Sequence, residues 1–157
     1  MARVLIVGCG CRGRSLAGAL VAEGLAVRGT TRDAAGLAAI EAAGAEGIVA
    51  DPDRLGTIMV QLAGVTVVCW LMGSATEGAD LHGPRLETLL ECLVDTPVRG
   101  IVYEAAGTVE PALLAHGAEA VRAAAHRWRM PAEVVEADPA EHRAWLAAMT
   151  AAVGRLL

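Results

Sequence analysis

The amino-acid sequence predicts a parallel α/β chain, a doubly wound sheet of six strands with helices on both faces, and three observations carry that expectation. Short apolar runs rich in valine and isoleucine alternate with alanine- and leucine-rich stretches of helical length, the pattern of strands joined by helical crossovers. Glycine and proline fall at the joints between these segments, where each interrupts regular structure. The first apolar run, Val4-Leu5-Ile6-Val7, leads directly into Gly8-Cys9-Gly10-Cys11-Arg12-Gly13, and a helical pattern follows.

Taken in order, the first strand is expected over 3–8, apolar without alternation because both of its faces are covered. A helix over 12–23 ends at Gly24 and a second strand follows over 25–31. The second helix, 33–43, ends at Gly44, since glycine readily adopts the conformation that closes a helix. After a third strand at 46–50, Asp51-Pro52 opens a helix over 53–63. A fourth strand at 65–71 and a helix at 79–95 follow, then Pro97 before a fifth strand at 98–104 and a helix at 110–128. Pro131 precedes a sixth strand at 132–137. The last helix, 139–156, is expected to start from an Asp138 N-cap with Pro139 in its first turn. Its residues Trp145, Met149, Ala152, Val153 and Leu156 recur at helical spacing. That apolar stripe suits packing on the chain's own sheet, with a twofold homodimer as the other use. The whole chain, 1–157, reads as one domain.

Composition excludes several functions. The chain has 157 residues, 55% hydrophobic and 20% charged, which predicts a folded core. A formal charge of −5 and the absence of phenylalanine leave no basic, aromatic-interleaved stripe for nucleic acid. No apolar run approaches the roughly 18 residues of a membrane span, and the N-terminus is already a strand, so a cytoplasmic location is expected. Cys9, Cys11, Cys69 and Cys92 lack the spacing of a metal site. Cys9 and Cys11 read as small residues in a crowded turn. Arg12, Arg14, Arg28 and Arg32 form a local basic cluster suited to a phosphorylated small ligand.

The glycine turn carries the most specific chemistry. In a strand–turn–helix context, Gly8 permits the tight turn, Gly10 lets a pyrophosphate approach the backbone, and Gly13 lets helix and strand pack closely. The helix start adds unpaired amides and the positive end of its dipole. These features predict a dinucleotide-binding Rossmann fold with its ligand beyond the carboxyl ends of the strands. The expected cofactor-binding residues are Gly8, Gly10, Cys11, Arg12, Gly13, Thr31, Arg32, Asp51, Leu71 and Gly73. The second strand ends in Gly29-Thr30-Thr31-Arg32-Asp33. Arginine there accommodates the 2′-phosphate of NADP, whereas NAD sites usually carry an acidic residue. NADP is therefore expected over NAD, with Asp33 capping the next helix rather than facing the ribose.

These segments resemble the atypical and extended short-chain dehydrogenase/reductases, the group that includes NAD(P)-dependent epimerases and NmrA-like proteins. The resemblance covers most of the chain. It rests on Val4 to Arg14, the Gly-Thr-Thr-Arg at 29–32, Asp51, the fourth-strand stretch Val67-Val68-Cys69-Trp70-Leu71, and 119–122 through Met130-Pro131. It implies contacts to pyrophosphate, 2′-phosphate, adenine and the nicotinamide-side ribose from the first four of these places, and it carries over Gly8, Gly10, Gly13, Arg32 and Asp51. The departures are substantial. The glycines are spaced GxGxxG where many extended members have GxxGxxG. The chain contains no lysine, hence no Tyr-x-x-x-Lys pair, and Ala105-Ala106 stand where the family has a serine. It ends at Leu157, where extended members continue into a substrate-binding region.

Three residues remain as proton donors or acceptors near the expected cleft: Tyr103, the only tyrosine, Glu104 beside it, and His82 in the loop after the fourth strand. Tyr103 and Glu104 alternate across the strand, so one at most faces the cleft. The other role for Tyr103 is core packing with its hydroxyl at the rim, and Trp70 either stacks on a cofactor ring or fills the sheet–helix interface, with filling expected. Three functions fit: a small NADP-dependent oxidoreductase on an unidentified small molecule, a catalytically inactive NADP(H)-sensing module, and a Rossmann domain that takes another nucleotide-like ligand or a partner.

Overall fold

The computed structural model describes residues 1–75 and 78–157. Its elements run in strict alternation: β1 (Arg3–Val7), α1 (Cys11–Ala22), β2 (Ala26–Thr31), α2 (Leu37–Ala42), β3 (Glu46–Val49), α3 (Leu55–Met59), β4 (Val67–Trp70), α4 (Pro84–Leu93), β5 (Gly100–Glu104), α5 (Pro111–Trp128), β6 (Ala132–Val135) and α6 (His142–Leu156). The strands form one parallel sheet in the order β3-β2-β1-β4-β5-β6. This is the doubly wound Rossmann architecture that the sequence predicts, with the order reversing between β1 and β4.

Burial explains the composition of each strand. Val4 to Val7, all of β4 and all of β5 are buried, and they are the strands without polar alternation. The edge strands β3 and β6 remain partly exposed. One face of the sheet packs against α1, α2 and α6 through Leu16, Leu20, Ile40, Trp145 and Met149. The other packs against α3, α4 and α5 through Ile58, Leu86, Leu89, Leu93 and Val121. Each such large side chain contributes about 1.5–3 kcal/mol when fully buried.

The structure corrects several predicted boundaries. Asp33 caps a 3₁₀ turn, Ala34–Gly36, by accepting from the Ala35 amide at 2.9 Å, as expected of it. The predicted helix over 79–95 is a 3₁₀ turn, Asp80–His82, followed by α4. Pro84 causes the break, because it has no N–H to donate and disfavours helical backbone at the residue before it. The predicted helix at 53–63 shortens to α3: 51–54 form a turn, in which Arg54 N donates to Asp51 O at 2.9 Å, and past Met59 the chain passes into tighter turns, Gln61 N donating to Ile58 O at 2.9 Å and Leu62 N to Met59 O at 3.2 Å. The last helix starts at His142 rather than 139. Asp138 closes a turn instead, its carboxylate accepting from Ala140 N and its carbonyl from Glu141 N, both at 2.9 Å. The stripe of α6 is fully used within the chain: Trp145, Met149, Ala152 and Val153 are wholly buried on the sheet. Among the described residues no helix is long and apolar enough to cross a membrane, and no group of three metal-ligating side chains gathers.

Candidate functional site

The glycine turn is built by backbone constraints. Gly8 has φ +86°, and its N–H donates to Thr30 Oγ1 at 3.1 Å while Cys9 N–H donates to Thr30 O at 2.9 Å. The turn is thereby fixed to the end of β2. A Cβ on Gly8 would lie 2.6 Å from Leu71 O, and one on Gly13 would lie 3.0 Å from Gly8 O. Both positions require glycine for close approach. A Cβ on Gly10 would meet nothing within 4 Å. Gly10 faces open space at the start of α1, the position where a pyrophosphate is expected to approach. Cys9 is packed beneath the turn, its Sγ 2.7 Å from where a Cβ on Gly29 would sit. Burial pushes its thiol up to about 11 despite the opposing charge of Arg14, and burial likewise raises Cys69. Both act as small apolar residues at neutral pH. Cys11 is exposed as the first residue of α1.

A cavity of about 460 Å³ lies over this turn, between the end of β2 and the loop after β4. Of the predicted cofactor-binding residues, Gly8, Gly10, Cys11, Arg12, Gly13, Thr31, Arg32 and Leu71 line it, together with Arg14, Met72 and Ser74. Asp51 and Gly73 lie outside the lining. Asp51 sits between two lining residues, Ala50 and Pro52, with its carboxylate 3.8 Å from Arg32 Nε. Arg32 Nη2 is also 3.4 Å from Asp53 Oδ2, a partner that no motif in the chain singles out. The predicted arginine cluster divides. Arg28 leaves it, donating to Gln61 O at 2.7 Å and pairing with Glu46 at 3.0 Å.

Glu104 is the best-anchored polar side chain of the region. It is fully buried, and its carboxylate accepts from Arg12 Nη2 at 2.7 Å, Arg12 Nε at 3.3 Å, Gly73 N at 2.9 Å and Trp145 Nε1 at 3.0 Å. Arg12 also lies 5.7 Å from the centroid of the Trp145 ring, a cation–π contact. One carboxylate thus joins the glycine turn, the loop after β4 and α6. Every oxygen lone pair it offers toward these elements is engaged. The sequence hid this because Trp145 and Arg12 are remote along the chain.

His82 and Tyr103 are also buried. His82 Nε2 lies 3.0 Å from Met72 O, and Nδ1 lies 2.6 Å from Tyr103 Oη. A carbonyl only accepts, so Nε2 carries the proton, Nδ1 accepts, and the tyrosine hydroxyl donates to it. Burial lowers the pKa of His82, with the Met72 carbonyl opposing. Burial first, then the charge of Glu104, raises that of Tyr103. Gly117 makes room for the phenol, since a Cβ there would collide with Tyr103 Oη. Trp70 is buried as filling, its Nε1 donating to Leu81 O at 3.0 Å. Tyr103, Glu104 and His82 all lie outside the cavity lining.

No protein-family model matches the chain, and no curated protein sequence does. Solved structures do. The chain superposes on a putative NAD-dependent epimerase/dehydratase from Bacillus halodurans with a TM-score of 0.67 at 20% identity, covering 88% of this chain and 71% of that one. It shares the fold of the short-chain dehydrogenases and NAD(P)-dependent epimerases. Triphenylmethane reductase from Citrobacter sp., solved with NADP(H), gives 0.65 at 19% identity, over 84% of this chain and 48% of that one. UDP-glucuronic acid 4-epimerase from Bacillus cereus, solved with NAD, gives 0.64 at 15% identity, over 84% and 55%. The chain spans about half the length of these last two proteins. At such identities the likeness concerns the fold.

Proposed function

We propose that the protein binds NADP(H) across the carboxyl edge of its sheet and acts as a binding module rather than as a reductase. The observation that carries this reading is the cavity bounded by the open face of Gly10 at the start of α1 and by Arg32 just beyond β2. The diphosphate would lie against the amides of the turn, with the helix dipole favouring its charge. The adenosine end would lie toward Thr31 and Arg32, with the guanidinium meeting a 2′-phosphate through charge-assisted hydrogen bonds. That solved neighbours hold NAD or NADP(H) supports a nicotinamide dinucleotide. Arg32 is what favours NADP over NAD.

The binding-module reading rests on the internal hydrogen bonds of Tyr103, His82 and Glu104, which leave none of the three facing the cavity. A bound nicotinamide would supply hydride, but these residues would not deliver the accompanying proton. The test is a titration with NADPH and NADH on wild type and Arg32→Ala. Loss of a charge-assisted partner costs about 1.5–3 kcal/mol, so Arg32→Ala weakens NADPH by roughly ten- to a hundredfold and NADH little. Equal losses refute the assignment of NADP(H). The bound NADPH is expected to stay reduced when aldehydes and ketones are added, and rapid oxidation would restore the reductase reading.

A further inference from the structure

We infer that Asp53 tunes the choice between NADP(H) and NAD(H) by competing with the 2′-phosphate for Arg32, an inference that rests on the dinucleotide reading of the cavity. Arg32 lines the cavity and keeps 44% of its side-chain exposure, while Asp53 lies outside the lining and approaches Nη2 at 3.4 Å. A tight charge-assisted contact is about 2.7–2.9 Å, so Asp53 holds the guanidinium loosely enough for a phosphate to displace it. Asp51 is a weaker competitor. Its Oδ1 lies 3.8 Å from Arg32 Nε and already accepts from the Asp53 amide at 2.9 Å. The same turn that shortens α3 therefore sets a carboxylate on the arginine expected to read the 2′-phosphate. The competition has a definite sign. Phosphate binding must break the Asp53 pair and then tolerate a neighbouring negative charge, whereas a 2′-hydroxyl does neither.

Asp53→Asn removes the charge from a half-buried side chain and keeps its shape. Exposed ion pairs contribute about 0.2–1 kcal/mol, so the variant should bind NADPH about 1.4- to fivefold more tightly, with NADH unchanged. The gain should shrink at high salt, because the charges are exposed and screened. The measurement is calorimetric titration of wild type and variant with NADPH and NADH, at low and at high salt. A selective NADPH gain supports the inference. An equal gain for both nucleotides, or none, overturns the role of Asp53 while leaving the site intact. Absence of binding of either nucleotide to wild type overturns the dinucleotide reading and this inference with it.

Discussion

Replacing Arg12 with alanine isolates the energetic weight of the buried carboxylate at the end of β5. Glu104 has no solvent exposure, and among the described residues Arg12 is the only cation donating to it. Arg12→Ala leaves the carboxylate with two neutral donors, Gly73 N and Trp145 Nε1. Removing one partner of a buried pair typically costs about 3–5 kcal/mol. The Arg12 side chain keeps 27% of its exposure, so water screens part of the pair and the lower end of that range applies. In a domain of this size each kcal/mol lowers Tm by about 2–4 °C, so a fall of roughly 6–12 °C is expected. Glu104→Gln preserves shape and one acceptor oxygen but turns an amide N–H₂ toward N–H donors, for a loss of about 1.5–3 kcal/mol. The double variant should lose less than the two single losses added together, because each single change already breaks the same contact. Urea and thermal unfolding followed by circular dichroism measure all three. Additive losses, or an Arg12→Ala variant within about 0.5 kcal/mol of wild type, would show that water rather than the pair satisfies Glu104.

Gly10→Val should abolish binding of both nucleotides while costing about 1 kcal/mol or less, since the added side chain enters open space and only the helix cap is impaired. Retained affinity in a nucleotide titration would mean that the turn is purely structural. Tyr103→Phe leaves His82 Nδ1 without its donor in the core and should destabilise by about 1–3 kcal/mol in urea titration, with no effect on any NADPH oxidation. A selective loss of turnover would return Tyr103 to the site. His82 gives a pH dependence of definite sign. Its folded pKa lies below the ordinary 6.5, so the unfolded chain takes up the proton first, and stability is lost as pH falls below about 6.5. Tm measured across this range should fall more steeply for wild type than for His82→Gln, and parallel curves would show that His82 is not kept neutral by the fold.

The parts of this fold legible in the sequence are those governed by local rules. The uninterrupted apolar runs at Val4 to Val7 and Val67 to Trp70 mark strands covered on both faces, and the glycine turn marks where the strand order reverses. The boundaries that shifted depend on competing local geometry. Pro84 and the turn at 51–54 each delay the start of a helix that apolar periodicity alone begins earlier, and Asp138 closes its own turn ahead of α6. Arg28 shows the limit for charged residues. Beside Arg32 in sequence it suggests a phosphate cluster, yet a register that sets it opposite Glu46 binds it to a neighbouring strand.

The candidate site divides along the same line. Its glycine turn is encoded within a few residues, so the order of amino acids alone singles out Gly8, Gly10 and Gly13, and the end of the second strand singles out Arg32. The other end depends on contacts 31 to 92 residues apart, from Gly73, Trp145 and Arg12 to one carboxylate. Alternation along β5 correctly separates Tyr103 from Glu104, but it does not reveal that each faces a helix layer already supplied with a partner, His82 on one side and Trp145 on the other. A polar side chain at a strand end is equally compatible with a cleft and with a buried network, and only its partners distinguish them. Here the partners are all in place. The cavity itself is lined by the backbone of the glycine turn and by arginines, which bind phosphate without transferring a proton at neutral pH, beside the side chains of Cys11, Thr31, Asp33 and Ser74. The proposed binding of a dinucleotide rests on that phosphate-holding chemistry.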